Sequence, residues 1–140
     1  MDIKTKQQHL VDDFSFFEDW ADKYEHLIEL GKTLPELEAT HKIEENIIKG
    51  CQSRVWLTAE MKDGKVYYKA DSDAIITKGI VALLVDVFSG QPPEAILNAE
   101  TDFIDQIGLK EHLSPTRANG LVAMVKQLKL YALAFQTKQT

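Results

Sequence analysis

The chain has 140 residues, of which 44% are hydrophobic and 27% are charged, and this predicts a single globular domain over residues 1–140. The formal net charge of −6 opposes phosphate backbones, so we expect neither nucleic acid nor an anionic membrane surface as a partner. No secretory signal order and no membrane-length apolar run occurs, and the single cysteine excludes an internal disulfide. The sequence therefore predicts a cytoplasmic protein.

The first fifty residues predict two helices followed by a loop. Apolar residues recur at helical spacing over residues 5–17 and again over residues 19–30, with Asp19 or Ser15 as the N-cap of the second helix. Gly31 follows where glycine commonly ends a helix. Residues 32–40 predict a loop. Residues 41–49 fit either a short helical turn or a short strand, and we favour an extended segment that leads into Cys51.

A β-hairpin is the clearest local prediction. Asp63-Gly64 stands between two alternating runs, and a type I′ turn needs the positive φ angles that these residues accept. Pairing Lys62 with Lys65 places the apolar residues of both strands on one face. Because the first strand is predicted to begin near Ser53, Cys51 should lie beyond the open end of the hairpin. The predicted apolar face consists of Leu57, Ala59, Met61, Val66, Tyr68 and Ala70.

Helices are predicted for the second half of the chain. Asp71, Ser72 and Asp73 precede a periodic apolar run that ends near residue 87, and we expect the two aspartates to act as helix caps rather than as catalytic acids. Short helices should follow over residues 93–99 and 101–107. The last helix should begin at Ser114-Pro115 and end near Phe135, with residues 136–140 as a frayed tail. The predicted fold class is α+β, with a small antiparallel sheet packed against helices.

Cys51 is the first candidate for chemistry. A single thiol cannot supply a multi-cysteine metal site, so a functional Cys51 would be a nucleophile, an acceptor or a regulatory thiol. The alternative is a small buried core residue, which is the usual place of a free cysteine. Gly50 beside it predicts an unusual backbone rather than a packed interior. The four histidines show no metal-ligand spacing, and we expect each to be solvated. They are His9, His26, His41 and His112.

Arg117 is the second candidate. It falls in the first turn of the last predicted helix, where the helix dipole disfavours a cation. A positive charge that contributes little to the fold at this position indicates another role. The alternative is an ion pair with a nearby carboxylate of this acidic protein.

Three segments together resemble the SufE family of sulfur acceptors. They are Gly50-Cys51-Gln52-Ser53-Arg54-Val55-Trp56, the segment Ala70-Asp71-Ser72-Asp73-Ala74-Ile75-Ile76-Thr77-Lys78-Gly79, and Leu113-Ser114-Pro115-Thr116-Arg117-Ala118-Asn119-Gly120-Leu121. The resemblance extends from the first helix to about residue 135, and it implies a fold similar to iron–sulfur scaffold proteins of the IscU type. Those scaffolds use three cysteines for cluster assembly, so we expect no cluster and no metal on this chain.

The resemblance implies a persulfide relay. A pyridoxal-phosphate cysteine desulfurase of the SufS type would pass sulfur to Cys51, and this chain would stimulate the desulfurase and deliver the sulfur to a Suf scaffold complex for iron–sulfur cluster assembly. The pyridoxal phosphate belongs to the desulfurase, so no cofactor is expected here, and the chain is not expected to be an enzyme. Arg117 would support the thiolate, the persulfide or the interface. Gly50, Gln52, Ser53 and Asp73 are expected to contact the partner.

Two other functions and the oligomeric state remain open at this point. A cysteine-dependent hydrolase or transferase would need a histidine within reach of Cys51. A structural adaptor would leave Cys51 inert. The sequence does not decide whether the free protein is a monomer or a homodimer.

Overall fold

The protein has an α+β fold, as the sequence predicts. The structure is a computed structural model that describes residues 2–51, 53–113 and 115–139. A two-stranded antiparallel sheet follows the first two α-helices in sequence. In the described part of the chain, the remaining α-helices come after this sheet. In chain order the elements are α1 (Ile3–Ser15), α2 (Trp20–Thr33), β1 (Val55–Lys62), β2 (Lys65–Ser72), α3 (Ile75–Phe88), α4 (Pro93–Asn98), α5 (Asp102–Ile107), α6 (Leu109–His112) and α7 (Pro115–Gln139).

Helix α2 confirms one predicted signal and contradicts another. Asp19 is its N-cap and accepts a hydrogen bond from the backbone N–H of Asp22 at 2.9 Å. Gly31 does not end the helix, which continues to Thr33. A Cβ atom on Gly31 would lie 3.1 Å from the backbone nitrogen of Gly79 in α3. Gly31 is therefore small because another helix passes close to it, and its role could not be read from its own segment.

Helices α2 and α3 cross with their backbones in contact. A Cβ atom on Gly79 would overlap the carbonyl oxygen of Leu27 and would lie 2.7 Å from its carbonyl carbon. Real Cβ atoms do not approach another backbone this closely, because the packing of protein interiors leaves no room for such overlap. The glycine at position 79 therefore sets the distance between the two helices.

The hairpin has the predicted register and turn. Lys62 pairs with Lys65, and Asp63 and Gly64 have φ angles of 54° and 79°, as a type I′ turn requires. Strand β2 packs against α3, and Val66 of the predicted apolar face is fully buried. Tyr68 also donates a hydrogen bond from its hydroxyl group to the Leu128 carbonyl of α7 at 2.6 Å. The sheet is thus tied to the last helix.

The segment that leads to Cys51 is more irregular than predicted. It forms two short 3₁₀ turns, Ala39–His41 and Glu44–Asn46. Only one bridge of the expected extended structure forms, between Ile47 and Trp56. Strand β1 begins at Val55, two residues later than predicted, and this leaves a longer loop around Cys51.

The predicted caps of α3 are wrong. Ala74 is the N-cap residue, and no side chain caps this helix end. Asp71 is instead buried and pairs with two lysines, and Asp73 accepts a hydrogen bond from the backbone of Arg54. Partners from distant segments thus compete successfully with the local capping signal.

The last helix is longer than predicted. Helix α7 continues to Gln139, so residues 136–139 are helical rather than frayed, and the hydroxyl of Thr137 donates to the Leu133 carbonyl at 2.9 Å. The predicted start at Ser114 lies outside the described residues. Gly108 closes α5 in a left-handed conformation, and the four-residue α6 is an element that the sequence does not predict. None of the helices over the described ranges is long and apolar enough to cross a bilayer.

Candidate functional site

Cys51 lies in a loop that the end of the hairpin closes. The N–H of Ile48 donates to the Val55 carbonyl at 2.9 Å, next to the bridge between Ile47 and Trp56. Gly50 has a φ angle of 96°, in the left-handed region that favours glycine. The contacts with β1 join the two ends of the loop that contains Cys51. The position of Cys51 therefore depends on few residues. Gln52, a predicted partner contact, lies outside the described residues.

A second set of hydrogen bonds attaches the loop to the segment before α3. The N–H of Arg54 donates to the Asp73 carboxylate at 3.1 Å, and the N–H of Asp73 donates to the Arg54 carbonyl at 3.3 Å. The hydroxyl of Ser72 donates to the same carbonyl at 2.9 Å. Asp73 thus attaches the loop to the segment before α3, although Asp73 itself is exposed.

The Cys51 side chain rests against α7 and is half-buried. Its Sγ lies 3.7 Å from the Gly120 carbonyl oxygen, within the distance of a weak S–H···O hydrogen bond. Burial raises the pKa of the Cys51 thiol, because the thiolate loses hydration when it is covered by protein. In this position the sulfur is a protonated and weakly nucleophilic thiol at neutral pH.

A small cavity of about 10 Å³ lies beside Cys51, and Arg117 lines it from the first turn of α7. The structure therefore brings Cys51, Ser53 and Arg117 to one place, although Arg117 is 66 positions further along the chain than Cys51. Such a volume is about that of one water molecule. The lining residues are Cys51, Ser53, Thr77, Ile80, Arg117, Gly120 and Met124.

Asp71 forms a buried ionic cluster on the strand side of this region. Its carboxylate oxygens lie 3.1 Å from Lys42 Nζ and 3.3 Å from Lys78 Nζ. Burial alone would raise the pKa of Asp71, but hydrogen bonds from Lys42, the Ser72 backbone and Lys78 outweigh it and hold the pKa below its usual value. The cluster joins the 39–49 segment to β2 and α3, and the sequence offered no signal for it beyond an aspartate near lysines.

The histidines differ in their surroundings. His9 and His41 are exposed, as predicted. His26 is not solvated as predicted, because its ring packs 5.0 Å from Phe14 and 5.2 Å from Phe17. Its Nε2 atom is buried and has no hydrogen-bond partner among the residues that the structure describes. None of these three lines the Cys51 cavity, and the side chain of His112 lies outside what the structure describes.

An open groove of about 420 Å³ lies on the other side of the loop. It runs between the 45–49 segment and α7, and Lys49 and Ala123 contribute to its walls. A Cβ atom on Gly50 would lie 3.4 Å from the Ala123 side chain. The loop therefore forms one border of a surface that another protein can reach.

No group of three or more histidine, cysteine, aspartate or glutamate residues suited to a metal ion occurs within residues 2–51, 53–113 and 115–139.

Comparison with known families shows to which protein family this chain belongs. The sequence model of SufE, described as an Fe-S metabolism associated domain, matches residues 8–132. The chain belongs to the SufE family. The match includes the Cys51 loop, Asp73 and the first turns of α7, so it covers every predicted site residue. The role that this family domain assigns to the chain is in Fe–S metabolism.

Curated relatives support the same family. An uncharacterized SufE-like protein of Rhizobium meliloti is 40% identical over 130 residues, which cover 89% of this chain and 93% of that protein. An uncharacterized SufE-like protein of Synechocystis is 40% identical over 131 residues, with 94% and 82% covered. SufE-like protein 1, chloroplastic/mitochondrial, of Arabidopsis thaliana is 40% identical over 138 residues, which cover 98% of this chain but 37% of the plant protein.

A solved structure has the same fold. The solution structure of a hypothetical protein from Thermus thermophilus matches with a TM-score of 0.78 and 24% sequence identity, and the match covers 94% of this chain and 96% of that one. The SufE-like α+β arrangement expected from the sequence is therefore confirmed at the level of the fold.

Proposed function

We propose that this chain is a sulfur acceptor and carrier in Fe–S metabolism. In this proposal Cys51 takes sulfane sulfur from a pyridoxal-phosphate cysteine desulfurase of the SufS type and delivers it to a downstream Suf scaffold complex. The observation that carries the proposal is the place of the single cysteine. Within a SufE domain it lies in a loop closed by a few backbone hydrogen bonds, with its thiol against α7.

The transfer step is a thiol exchange. The Cys51 thiolate attacks the outer sulfur of the desulfurase persulfide, a new S–S bond forms on Cys51, and the desulfurase cysteine leaves as a thiolate. The same exchange with the next acceptor returns Cys51 to its starting state, and no external oxidant or reductant is consumed. A second thiol nearby would displace sulfide and close a disulfide. A single cysteine suits a carrier, and the chain needs no cofactor or enzymatic activity of its own.

The half-buried thiol supports activation by docking. While Cys51 packs against α7, the pKa of its thiol is raised, and little of the thiol is ionised to the thiolate at neutral pH. When the loop leaves α7, the thiol regains hydration and its pKa falls towards the usual value. The nucleophile thus forms where the partner persulfide is present, and a free carrier in the cytoplasm reacts slowly with other electrophiles.

Arg117 has a supporting role in this proposal. It lines the small cavity together with Cys51, and a guanidinium group that comes close to the sulfur during the transfer would favour a thiolate or persulfide anion over the protonated form. Arg117→Ala should lower sulfur acceptance, and Arg117→Lys should restore part of it because the charge is kept. Equal acceptance by all three proteins would remove this role.

The groove and the loop together form the surface that we assign to the desulfurase. Gly50 and Ser53 flank Cys51, Gln52 lies between Cys51 and Ser53 in sequence, and Asp73 holds the Arg54 end of the loop. A partner that contacts this surface can replace the hydrogen bonds that attach the loop to this chain.

The test is stimulation of the desulfurase. The cognate desulfurase is incubated with free cysteine, and alanine production is followed with the wild-type chain or with Cys51→Ser. A sulfur acceptor predicts that the wild type increases turnover and that Cys51→Ser does not. If Cys51→Ser stimulated equally well, Cys51 would be inert and the chain would be an adaptor. Cysteine-dependent hydrolysis is less favoured, because no histidine of the described side chains lines the Cys51 cavity.

A further inference from the structure

The Cys51 side chain rests on a glycine in the interior of a helix. Gly120 is buried within α7. The three heavy atoms nearest to a Cβ built on Gly120 all belong to Cys51, with Sγ at 3.4 Å, Cα at 3.5 Å and Cβ at 3.6 Å. The bare backbone of Gly120 is therefore the surface that the whole cysteine residue covers.

The helix alone does not require this glycine. Glycine in a helix interior is less favourable than alanine, and Gly120 does not have the positive φ angle of Gly50 or Gly108. Nor does a helix backbone crowd it, in contrast to Gly79, since its nearest neighbours are the atoms of one loop residue. The residue that Gly120 faces is Cys51, and a Cβ atom at position 120 would already be in van der Waals contact with its Sγ.

We propose that Gly120 is a positioning residue for sulfur transfer, because its bare backbone forms a seat that holds Cys51 against α7 until the desulfurase docks. This inference rests on the proposed function. The loop then has two arrangements, one seated on Gly120 and one released towards the partner. A Cβ atom alone would fit there at ordinary van der Waals distance. A side chain larger than that of alanine at position 120 therefore destabilises the seated arrangement and leaves the released one unchanged.

Two measurements should respond by the same factor. Alkylation of the free protein requires the released loop, so its rate follows the released fraction while that fraction is small. The desulfurase also binds the released loop, and the apparent affinity of a ligand falls by the fraction of its target that is competent. A substitution that raises the alkylation rate should therefore lower the half-saturating concentration in the desulfurase assay to a similar extent.

The first experiment is iodoacetamide alkylation of the folded full chain at fixed pH. Gly120→Ala should leave the Cys51 rate within about twofold of the wild type, because its Cβ reaches only van der Waals contact with Sγ. Gly120→Val should increase the rate by about tenfold or more. Ala134→Val is the control, since it places the same final side chain at an exposed position of α7. An unchanged rate in Gly120→Val, with the wild-type melting temperature retained, would overturn the inference. If Gly120→Val does not fold, Gly120→Leu decides the result.

A mutant cycle shows whether the effect comes from the seat. Gly120→Val should lower the melting temperature less in a Cys51→Ala background, where Sγ is absent, than in the wild type. Equal losses in the two backgrounds would mean that position 120 acts on α7 alone, and the seat would be rejected.

The second experiment repeats the desulfurase titration with the Gly120 variants. A fall in the half-saturating concentration that matches the alkylation factor is the expected result, and an unchanged concentration despite faster alkylation would exclude the seat from the transfer. Failure of the wild type itself to accept sulfur would reject the proposed function. Normal wild-type acceptance with unchanged alkylation of the variants would reject the seat only.

Discussion

Gly79 and Gly120 each face another part of the chain, and the two contacts differ in the kind of segment that makes them. Gly79 meets the backbone of Leu27, which belongs to a second packed helix. Gly120 meets Cys51, which belongs to a loop held by a few hydrogen bonds. A helix backbone cannot withdraw without loss of its own packing, whereas a loop side chain can rotate or leave. The first contact therefore fixes the fold, and the second one is suited to open.

The largest expected effect is at Gly79. Gly79→Ala should lower the free energy of unfolding by about 3 kcal/mol, because the added Cβ forces α2 and α3 apart. Gly120→Ala should change it by less than about 1 kcal/mol, since the gain in helix propensity offsets the new contact with Cys51. Denaturant unfolding of both variants gives the comparison. Similar losses at the two positions would contradict the distinction between a fixed and an opening contact.

The Asp71 cluster should have the next largest effect on stability. Asp71→Asn removes the charge that pairs with Lys42 and Lys78, and we expect a loss of about 2 kcal/mol at neutral pH, less than for a fully buried pair because both lysines are partly exposed.

The pH dependence of this loss follows from the sign of the shift. The folded state lowers the pKa of Asp71, so its contribution is present above the pKa of the unfolded chain and is lost as the pH falls through the folded value. Unfolding curves at neutral and strongly acidic pH should thus differ between wild type and Asp71→Asn only at neutral pH. If Asp71→Asn lowered the free energy of unfolding by the same amount at both pH values, the effect would be due to packing rather than to charge.

A substitution of Asp73 tests how the loop is attached at Arg54, whereas Gly120 contacts the loop at Cys51. Asp73→Ala removes the acceptor of the Arg54 N–H, and this should raise the alkylation rate of Cys51 several-fold while the free energy of unfolding falls by about 1 kcal/mol or less. Glu60→Ala provides a control at an exposed carboxylate of β1. An alkylation rate equal to that of the wild type would show that the seat on α7 alone holds the loop.

The smallest expected effect is in the pH profile of alkylation. Burial raises the pKa of the Cys51 thiol, so the rate in the folded protein should rise at a higher pH than in the urea-unfolded chain. Gly120→Val should move the profile back towards that of the unfolded chain. Coincident profiles for the folded and unfolded wild type would mean that the thiol is not sheltered.

Local signals predicted the hairpin, and distant partners explain the errors. The Asp63-Gly64 turn and the alternating residues around it contain all that the register needs, so the pairing was predicted correctly. Local sequence predicts a helix end at Gly31, because the neighbour that requires glycine there, Gly79, is 48 positions away. Of the two predicted caps, Asp71 pairs with lysines and Asp73 with the Cys51 loop. Local sequence cannot show that these partners lie close by.

The site shows the same division. Cys51 could be singled out because it is the only cysteine, and Arg117 because a cation at a helix start contributes little to the fold. The contact between Cys51 and Gly120 joins residues 69 positions apart, so it needs the tertiary fold. A glycine within the last predicted helix was the one available signal, since helix propensity gives no reason for it.

The most direct measurement is the mass of the protein after sulfur transfer. The wild-type chain is incubated with the cognate desulfurase and free cysteine, and then analysed intact and as peptides without reduction. A sulfur carrier predicts the addition of one sulfur atom on the peptide that contains Cys51, its removal by a thiol reductant, and no addition to Cys51→Ser. An unmodified Cys51 beside a desulfurase that turns over would contradict the account.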